Sequence, residues 1–519
     1  MESSRSSGSG SETAAVGYEG VVYQIYPRSF RDTTGDGVGD LAGVRRGLDH
    51  LAWLGVDAIW LSPIYPSPMA DFGYDVADYC DVDPVFGTLE DVDRLIAEAH
   101  ERGIGVWLDW VPNHTSDQHP WFQASRSSRE DPKRDWYIWR DPAPDGGPPN
   151  NWIRHFAHEP AWTFDEATGQ YYLHQFLPQQ PDVNWEHPEL RAAMHDVLRF
   201  WLDRGVDGFR ADVVHLIGKD PELPDDPENW VGVPRAAFHH LPVTHQHLAG
   251  IRAVLDAYQP PRRMVGEINL LDPADVASYV GEDRLHLAFF FGLLYVPWEA
   301  ERLRTTIREV DEAFAAVGAA PAWALGNHDN PRVRTRVGDE PGARAAALLL
   351  LTLRGTPFLY AGDELGLEDA EVPAAQVVDP GGRDGCRAPV PWTDDEQHGW
   401  AATPWLPFSP QAGARSVARR REDPGSVLHL HRRLLHARRE SAALRAGDLE
   451  MLDVGDEVVG YRRVTADDER MVLVSTAHGS CPVDLEAAWT VEIASDGVGE
   501  GEPFRGHLEP RQGVLLRRR

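Results

Sequence analysis

Along the chain, apolar positions fall into two alternating rhythms. Short, nearly continuous runs of β-branched and aromatic residues occupy 21–26, 58–62, 105–110, 205–213, 264–268, 287–294, 322–325 and 357–360. Between them lie longer stretches with helical periodicity, such as 89–102 and 189–204. Runs without polar alternation suit strands buried on both faces, and alternation of strand with helix calls for a parallel sheet. Eight such strands predict a (β/α)8 barrel of the α/β class. The runner-up, an open doubly wound sheet, would need a Gly-rich phosphate loop after its first strand, and the sequence has none there.

Two intervals break the rhythm. Residues 115–184, rich in Trp, Asp and Pro, are far too many for an ordinary barrel loop and predict a small inserted domain over the C-terminal face of the barrel. Residues 371–424 form a second insertion after the eighth strand. From Gly447 onward, short alternating stretches at 454–463 and 470–476 predict a C-terminal antiparallel β-sandwich. The expected layout is a disordered tail over 1–16, a catalytic barrel over 17–114 and 185–446, the inserted domain over 115–184 and the sandwich over 447–519. The Ser/Gly-rich tail lacks the apolar centre of a secretory signal, which makes the cytoplasm the expected location.

At 519 residues with 42 % hydrophobic and 25 % charged content, the chain can bury a large core. No stretch approaches the 18 or so apolar residues of a membrane span. A formal charge of −32 would repel nucleic acid and leaves a neutral small molecule as the natural partner. The expected assembly is a monomer or homodimer. Three scattered cysteines, Cys80, Cys386 and Cys481, provide neither a disulfide framework nor a metal cluster.

Polar residues at the C-terminal ends of barrel strands are candidates for catalysis. The third strand ends in Asp109 with Asn113 and His114 just beyond it. The fourth carries Arg210 and Asp212, the fifth ends at Glu267, and the seventh leads into Asn327-His328-Asp329. Several carboxylates at one barrel end are costly to bury unless paired or used. Together with an arginine and two histidines they suit glycosidic chemistry, in which one carboxylate attacks the anomeric carbon and another protonates the leaving oxygen. Arg210 and Asp212 share a strand face by the period of two, where the guanidinium would keep the carboxylate ionised.

These four segments, in this order, resemble the α-amylase family of glycoside hydrolases, family 13. Val22-Tyr-Gln-Ile-Tyr-Pro-Arg-Ser-Phe30, Asp71-Phe-Gly-Tyr74-Asp75, Gln180-Pro-Asp-Val-Asn184 and Gly382-Arg383-Asp384-Gly-Cys-Arg387 resemble its oligo-1,6-glucosidase/α-glucosidase branch. The resemblance implies Asp212 as nucleophile, Glu267 as acid and base, and Asp329 as the third catalytic carboxylate. It further implies substrate binding by His114, His328 and Arg210, a stacking platform from Tyr74, and an Asp71–Arg387 pair closing the far end of the pocket.

The loop Asp32-Thr-Thr34-Gly-Asp36-Gly-Val38-Gly-Asp40 sets oxygen donors at alternate positions, the spacing with which Ca²⁺ gathers carboxylates and a carbonyl. In the branch it is a Ca²⁺ site with Asn where this chain has Thr34. The expected cofactor is therefore a structural Ca²⁺, with Mg²⁺ as the alternative ion and no organic cofactor. A solvated acidic turn is the other reading of the same loop. Val213, directly after the nucleophile, resembles the residue of 1,6-cleaving members, and His215 is a second candidate for the acceptor wall. The chain departs from the branch at Ala361-Gly-Asp363-Glu364, where Gln-Gly-Glu-Glu is usual. The implied activity is a retaining, exo-acting α-glucosidase on short α-glucosides. A transglucosylase or isomerase of the trehalose synthase type would share every catalytic residue, and a non-catalytic scaffold of the family would have lost them.

Overall fold

The computed structural model describes residues 18–226 and 240–518, so the tail expected over 1–16 lies outside the described residues. The chain enters through strands β1 (Val22–Ile25), β2 (Ala58–Leu61) and β3 (Gly105–Trp110). It then leaves for a small antiparallel sheet of β4 (Trp139–Arg140), β5 (Trp162–Asp165) and β6 (Gln170–Leu173), and returns in β7 (Gly208–Ala211), β8 (Arg263–Glu267), β9 (Leu287–Phe289), β10 (Ala322–Ala324) and β11 (Thr356–Tyr360). Strands β1, β2, β3 and β7 to β11 pair in parallel and close on each other through β1 and β11. The barrel expected from the apolar runs is thus present. Two strands are shorter than their apolar runs. The 205–213 run becomes strand only at Gly208, and the 287–294 run ends at Phe289, after which Gly292–Tyr295 is a helical turn.

The period of two explains the barrel's interior. Val22, Ala58, Trp60, Trp107, Val265, Leu287, Phe289, Ala322, Ala324 and Phe358 form one closed cluster, knit by Phe289–Phe358 ring contact at 4.5 Å. The opposite faces of the strands join the larger core beneath the helices. Continuing the inward alternation toward the strand C-termini brings Gln24, Asp109, Arg210 and Glu267 above this plug. Gly208 is required below Arg210, because a Cβ there would lie 2.8 Å from both the Trp107 ring and the Arg263 carbonyl.

Helix α1 (Leu41–Leu54) starts at Asp40, whose side chain accepts from Gly43 N, and stops at Gly55 in the left-handed region. Helix α2 (Leu89–Glu101) opens with a Thr88/Asp91 capping box. In the 115–184 interval, α3 (Pro120–Ser127) accompanies the β4–β6 sheet, and an isolated bridge His114–Asp182 ties it back to the segment just after β3. The C-terminal part is a five-stranded antiparallel sheet of β12 (Asp448–Leu452), β13 (Val458–Val464), β14 (Glu469–Ser475), β18 (Gly513–Arg518) and β16 (Trp489–Ala494), with a two-stranded sheet of β15 (Cys481–Pro482) and β17 (His507–Leu508).

Candidate active site

Above the apolar plug, Arg210 is the hub of the first charged group. Its Nη1 lies 2.8 Å from Asp109 Oδ1 and 2.6 Å from Asp212 Oδ1, and its Nη2 reaches Glu267 Oε2 at 2.5 Å. Asp212 follows β7 and is fixed by its backbone N–H donating to the Trp110 carbonyl. Glu267 Oε2 also accepts from Val213 N at 3.1 Å. Val213 achieves this in a left-handed backbone conformation, φ +34°, which a β-branched residue adopts only under constraint.

One guanidinium faces three carboxyls here, so full ionisation would leave two uncompensated charges in a dry site. Burial pushes Asp109 up to about 7, with Arg210 opposing it. Burial likewise raises Asp212 against the pull of Arg210. Arg210 favours the ionised form of Asp212, as expected, but its guanidinium is shared among three acids.

A second group closes the pocket's other side. Arg383 Nη2 meets Asp71 Oδ1 at 2.6 Å and its Nη1 meets Asp329 Oδ1 at 2.9 Å. The expected Asp71–Arg387 pair does not form. Arg387 is fully buried and holds Asp329 at 3.1 Å, Asp379 at 3.0 Å and the His328 carbonyl at 2.8 Å. The reason is reach: Arg383 stands one helical turn earlier at the pocket wall, while Arg387 points into the protein behind it. Burial pushes the Asp329 carboxyl up, but His328, Arg383 and Arg387 outweigh it and hold it well below the usual carboxylate range. Asp71 is raised by burial despite its arginine.

The two groups flank a cavity of ≈ 270 Å³, below the roughly 300–1,000 Å³ of drug-sized sites. Asp71, Tyr74, His114, Asp212, Glu267 and Asp329 all line it, as does Arg383. Arg210, His328 and Arg387 stand behind the wall and act on the pocket through the carboxylates they hold. Both ring nitrogens of His328 are engaged, Nδ1 with Gln24 at 2.8 Å and Nε2 with the Tyr74 hydroxyl at 2.7 Å. Tyr74 also donates to Asp109 and stacks on His328 at 5.4 Å. His114 is steadied by the amides of Asn113 and Gln180, and Gln180 also donates to Asp71 at 3.1 Å. Val213 and His215 line the cavity as expected for acceptor-wall candidates. Asp363 and Glu364 do not: they are buried against Arg332 and Tyr23, away from it.

Residues the sequence did not single out complete the wall: His155, Phe156 and Phe176 from the inserted segment, and Asn269, Phe291 and Tyr295 from the barrel. His155, Phe156, Phe176 and Asn269 sit on irregular loops, where periodicity carries no signal, and Phe291 and Tyr295 belong to the short helical turn that follows β9. Arg383 was visible within the quoted Gly382–Arg387 motif, but spacing alone does not choose between two arginines four apart.

The Asp32–Asp40 loop closes on its own backbone. Asp32 accepts from Thr34, Gly35 and Gly37 N, Asp36 from Val38 N, and Asp40 from Thr33 N while capping α1. Among the described residues, no group of three or more acids, histidines or cysteines gathers at metal-holding spacing. The donor set fits a hard cation in part: oxygens are plentiful, but Asp40 is committed to the helix.

The chain matches the family description "Alpha amylase, catalytic domain" over residues 24–447. It is 42 % identical to a probable alpha-glucosidase of Rhizobium meliloti, covering 94 % of this chain and 92 % of that protein. It is 36 % identical to an oligo-1,6-glucosidase of Parageobacillus thermoglucosidasius, over 90 % of this chain and 91 % of that one. Among solved structures it is similar to the alpha-glucosyl transfer enzyme XgtA, with a TM-score of 0.91 and 41 % identity, covering 96 % of this chain and 99 % of the other.

Proposed function

The chain belongs to the α-amylase family of glycoside hydrolases, and from that premise we propose that it is a retaining, exo-acting α-glucosidase that removes terminal glucose from short α-glucosides. The carrying observation is the single guanidinium of Arg210 bridging Asp212 and Glu267 at the floor of a pocket whose other side is sealed by Asp71 and Arg383. Asp212 attacks the anomeric carbon as Glu267 gives its proton to the departing oxygen, leaving a β-glucosyl ester on Asp212. Glu267, now a carboxylate, takes a proton from water, whose oxygen displaces Asp212 and yields α-glucose. Asp329, kept ionised by its three cationic or polar neighbours, accepts hydrogen bonds from ring hydroxyls.

Glucosyl transfer is the second reading, favoured by the 41 % identity to a protein titled an alpha-glucosyl transfer enzyme. It uses the same residues and differs only in whether a sugar or water reaches the intermediate. Product analysis by NMR on isomaltose, maltose, sucrose and trehalose separates the two. Early release of α-glucose is the expected result, new disaccharides would favour transfer, and initial β-glucose would exclude the double displacement. Asp212→Asn should lose several orders of magnitude in kcat while remaining folded. A structural Ca²⁺ on the Asp32–Asp40 loop and a cytoplasmic location belong to the same proposal. No helix among the described residues is long and apolar enough to cross a membrane.

A further inference from the structure

We propose that Asp379 is a positioning residue for the glucose end of the pocket, acting by orienting Arg383 and Arg387. It lies in the segment between β11 and the C-terminal sheets and does not line the cavity. Its Oδ2 accepts from Arg383 N at 2.8 Å and Arg383 Nε at 2.9 Å. Its Oδ1 accepts from Arg383 Nη2 at 2.7 Å and Arg387 Nη1 at 3.0 Å. Both the Asp379 and Arg387 side chains are fully buried. Asp379 is itself anchored, because Asp384 Oδ2 accepts from the backbone N–H of Val378 and of Asp379.

The arrangement determines what Arg383 can do. A free arginine has many rotamers, but the Nε and Nη2 bonds to one carboxylate fix the plane of the guanidinium. Only in that plane does Nη1 meet Asp329 while Nη2 also meets Asp71. Arg387 is steered in the same way, with Nη1 on Asp379, Nη2 on Asp329 and Nε on the His328 carbonyl. The two guanidiniums meet three carboxylates, of which only Asp71 and Asp329 face the pocket. Without the charge of Asp379, both arginines would close on those two and withdraw oxygens that should receive sugar hydroxyls. Burial raises Asp379, but the two arginines outweigh it and hold it below its ordinary range, so it is a carboxylate at working pH. No contact joins Asp379 to Arg210, Asp212 or Glu267, so its influence reaches the glucose through the two arginines and the Asp71 and Asp329 carboxylates they hold.

The inference rests on the proposed α-glucosidase activity. Its test is Asp379→Asn, nearly the same in shape but uncharged, assayed with isomaltose or whichever disaccharide the wild type turns over best, with glucose as competitive inhibitor. KM and the inhibition constant for glucose should both rise by about tenfold while kcat stays within about threefold, the pattern of lost uniform binding. Glucose fills only the terminal site, so a parallel rise locates the effect there, which a merely structural loss of stability would not do. Asp379→Glu, which keeps the charge on a longer arm, should show a smaller rise in the same two constants, and it stands in if the asparagine variant does not fold. A folded variant with unchanged KM and glucose inhibition, or one that loses only kcat, overturns the role. A wild type that turns over no α-glucoside would instead overturn the activity, a distinct result.

Discussion

His114, His215 and His328 show what the barrel does to single residues. Burial lowers each from the ordinary 6.5 to about 3, so all three are neutral hydrogen-bonding groups across the physiological range. The linkage has a definite sign. An unfolded histidine takes up its proton near 6.5 and the folded one refuses it until about 3, so each such group removes stability as pH falls through that window. His215→Gln should therefore make the acid arm of a plot of Tm against pH shallower between pH 6.5 and 3, measured against wild type; parallel arms would count against the buried neutral histidine. The two arginines near Asp329 predict opposite failures. Arg387 is fully buried between Asp329 and Asp379, and Arg387→Ala should cost about 3–5 kcal/mol of stability in denaturant melts, as when one partner of a buried pair is removed. Arg383 is at the pocket wall, and Arg383→Ala should raise KM several-fold with a far smaller change in stability. If the first variant proved the milder for folding, the division of labour would be reversed.

At the scale of elements, the barrel was readable because physics repeats itself eight times: each strand is a short apolar run, and each inward position near its C-terminus turns polar. Asp109, Arg210, Asp212 and Glu267 could thus be assigned to one end of one barrel from spacing alone. The residues that lie in the 115–184 and 371–424 segments could not be placed in that way. Phe156, Arg383 and Asp379 reach the site through loops whose paths depend on contacts hundreds of residues away, such as Arg383 with Asp71 across 312 positions. The Asp32–Asp40 loop shows a milder form of the same limit, since alternate oxygens are visible in sequence while the second task of Asp40, capping α1, is visible only in the fold. A carboxylate oxygen that accepts one N–H still has a lone pair for a cation. A bound ion that prefers the folded state stabilises it by mass action, by about 2.7 kcal/mol at a hundredfold excess over Kd. Thermal melts with Ca²⁺ and with a chelator should accordingly differ by about 2–3 °C, and identical midpoints would leave only an acidic turn held by its own amides.

For the whole molecule, what matters is which segments wall the pocket. The barrel supplies its floor, the inserted segment contributes His155, Phe156 and Phe176, and the 371–424 segment contributes Gly381 and Arg383. A polymer-cleaving relative needs a groove open at both ends, so that sugar units can extend past the scissile bond in either direction. Here the Asp71–Arg383 contact at 2.6 Å stands where the chain would have to leave. Charge-assisted bonds of this kind are stronger and more directional than neutral ones. The same carboxylate and guanidinium can bond the free hydroxyls of a terminal glucose, which a glucan extended at that end would have substituted. The enzyme should release glucose one unit at a time from di- and trisaccharides, turn over starch poorly, and produce no maltotriose or longer fragments from it. Chromatography of the products formed from starch and from isomaltotriose, at equal concentrations of reducing or terminal units, checks this directly. Liberation of maltotriose and longer fragments at rates comparable with those on short substrates would show that the Asp71–Arg383 closure opens in solution and that the exo-acting assignment is wrong.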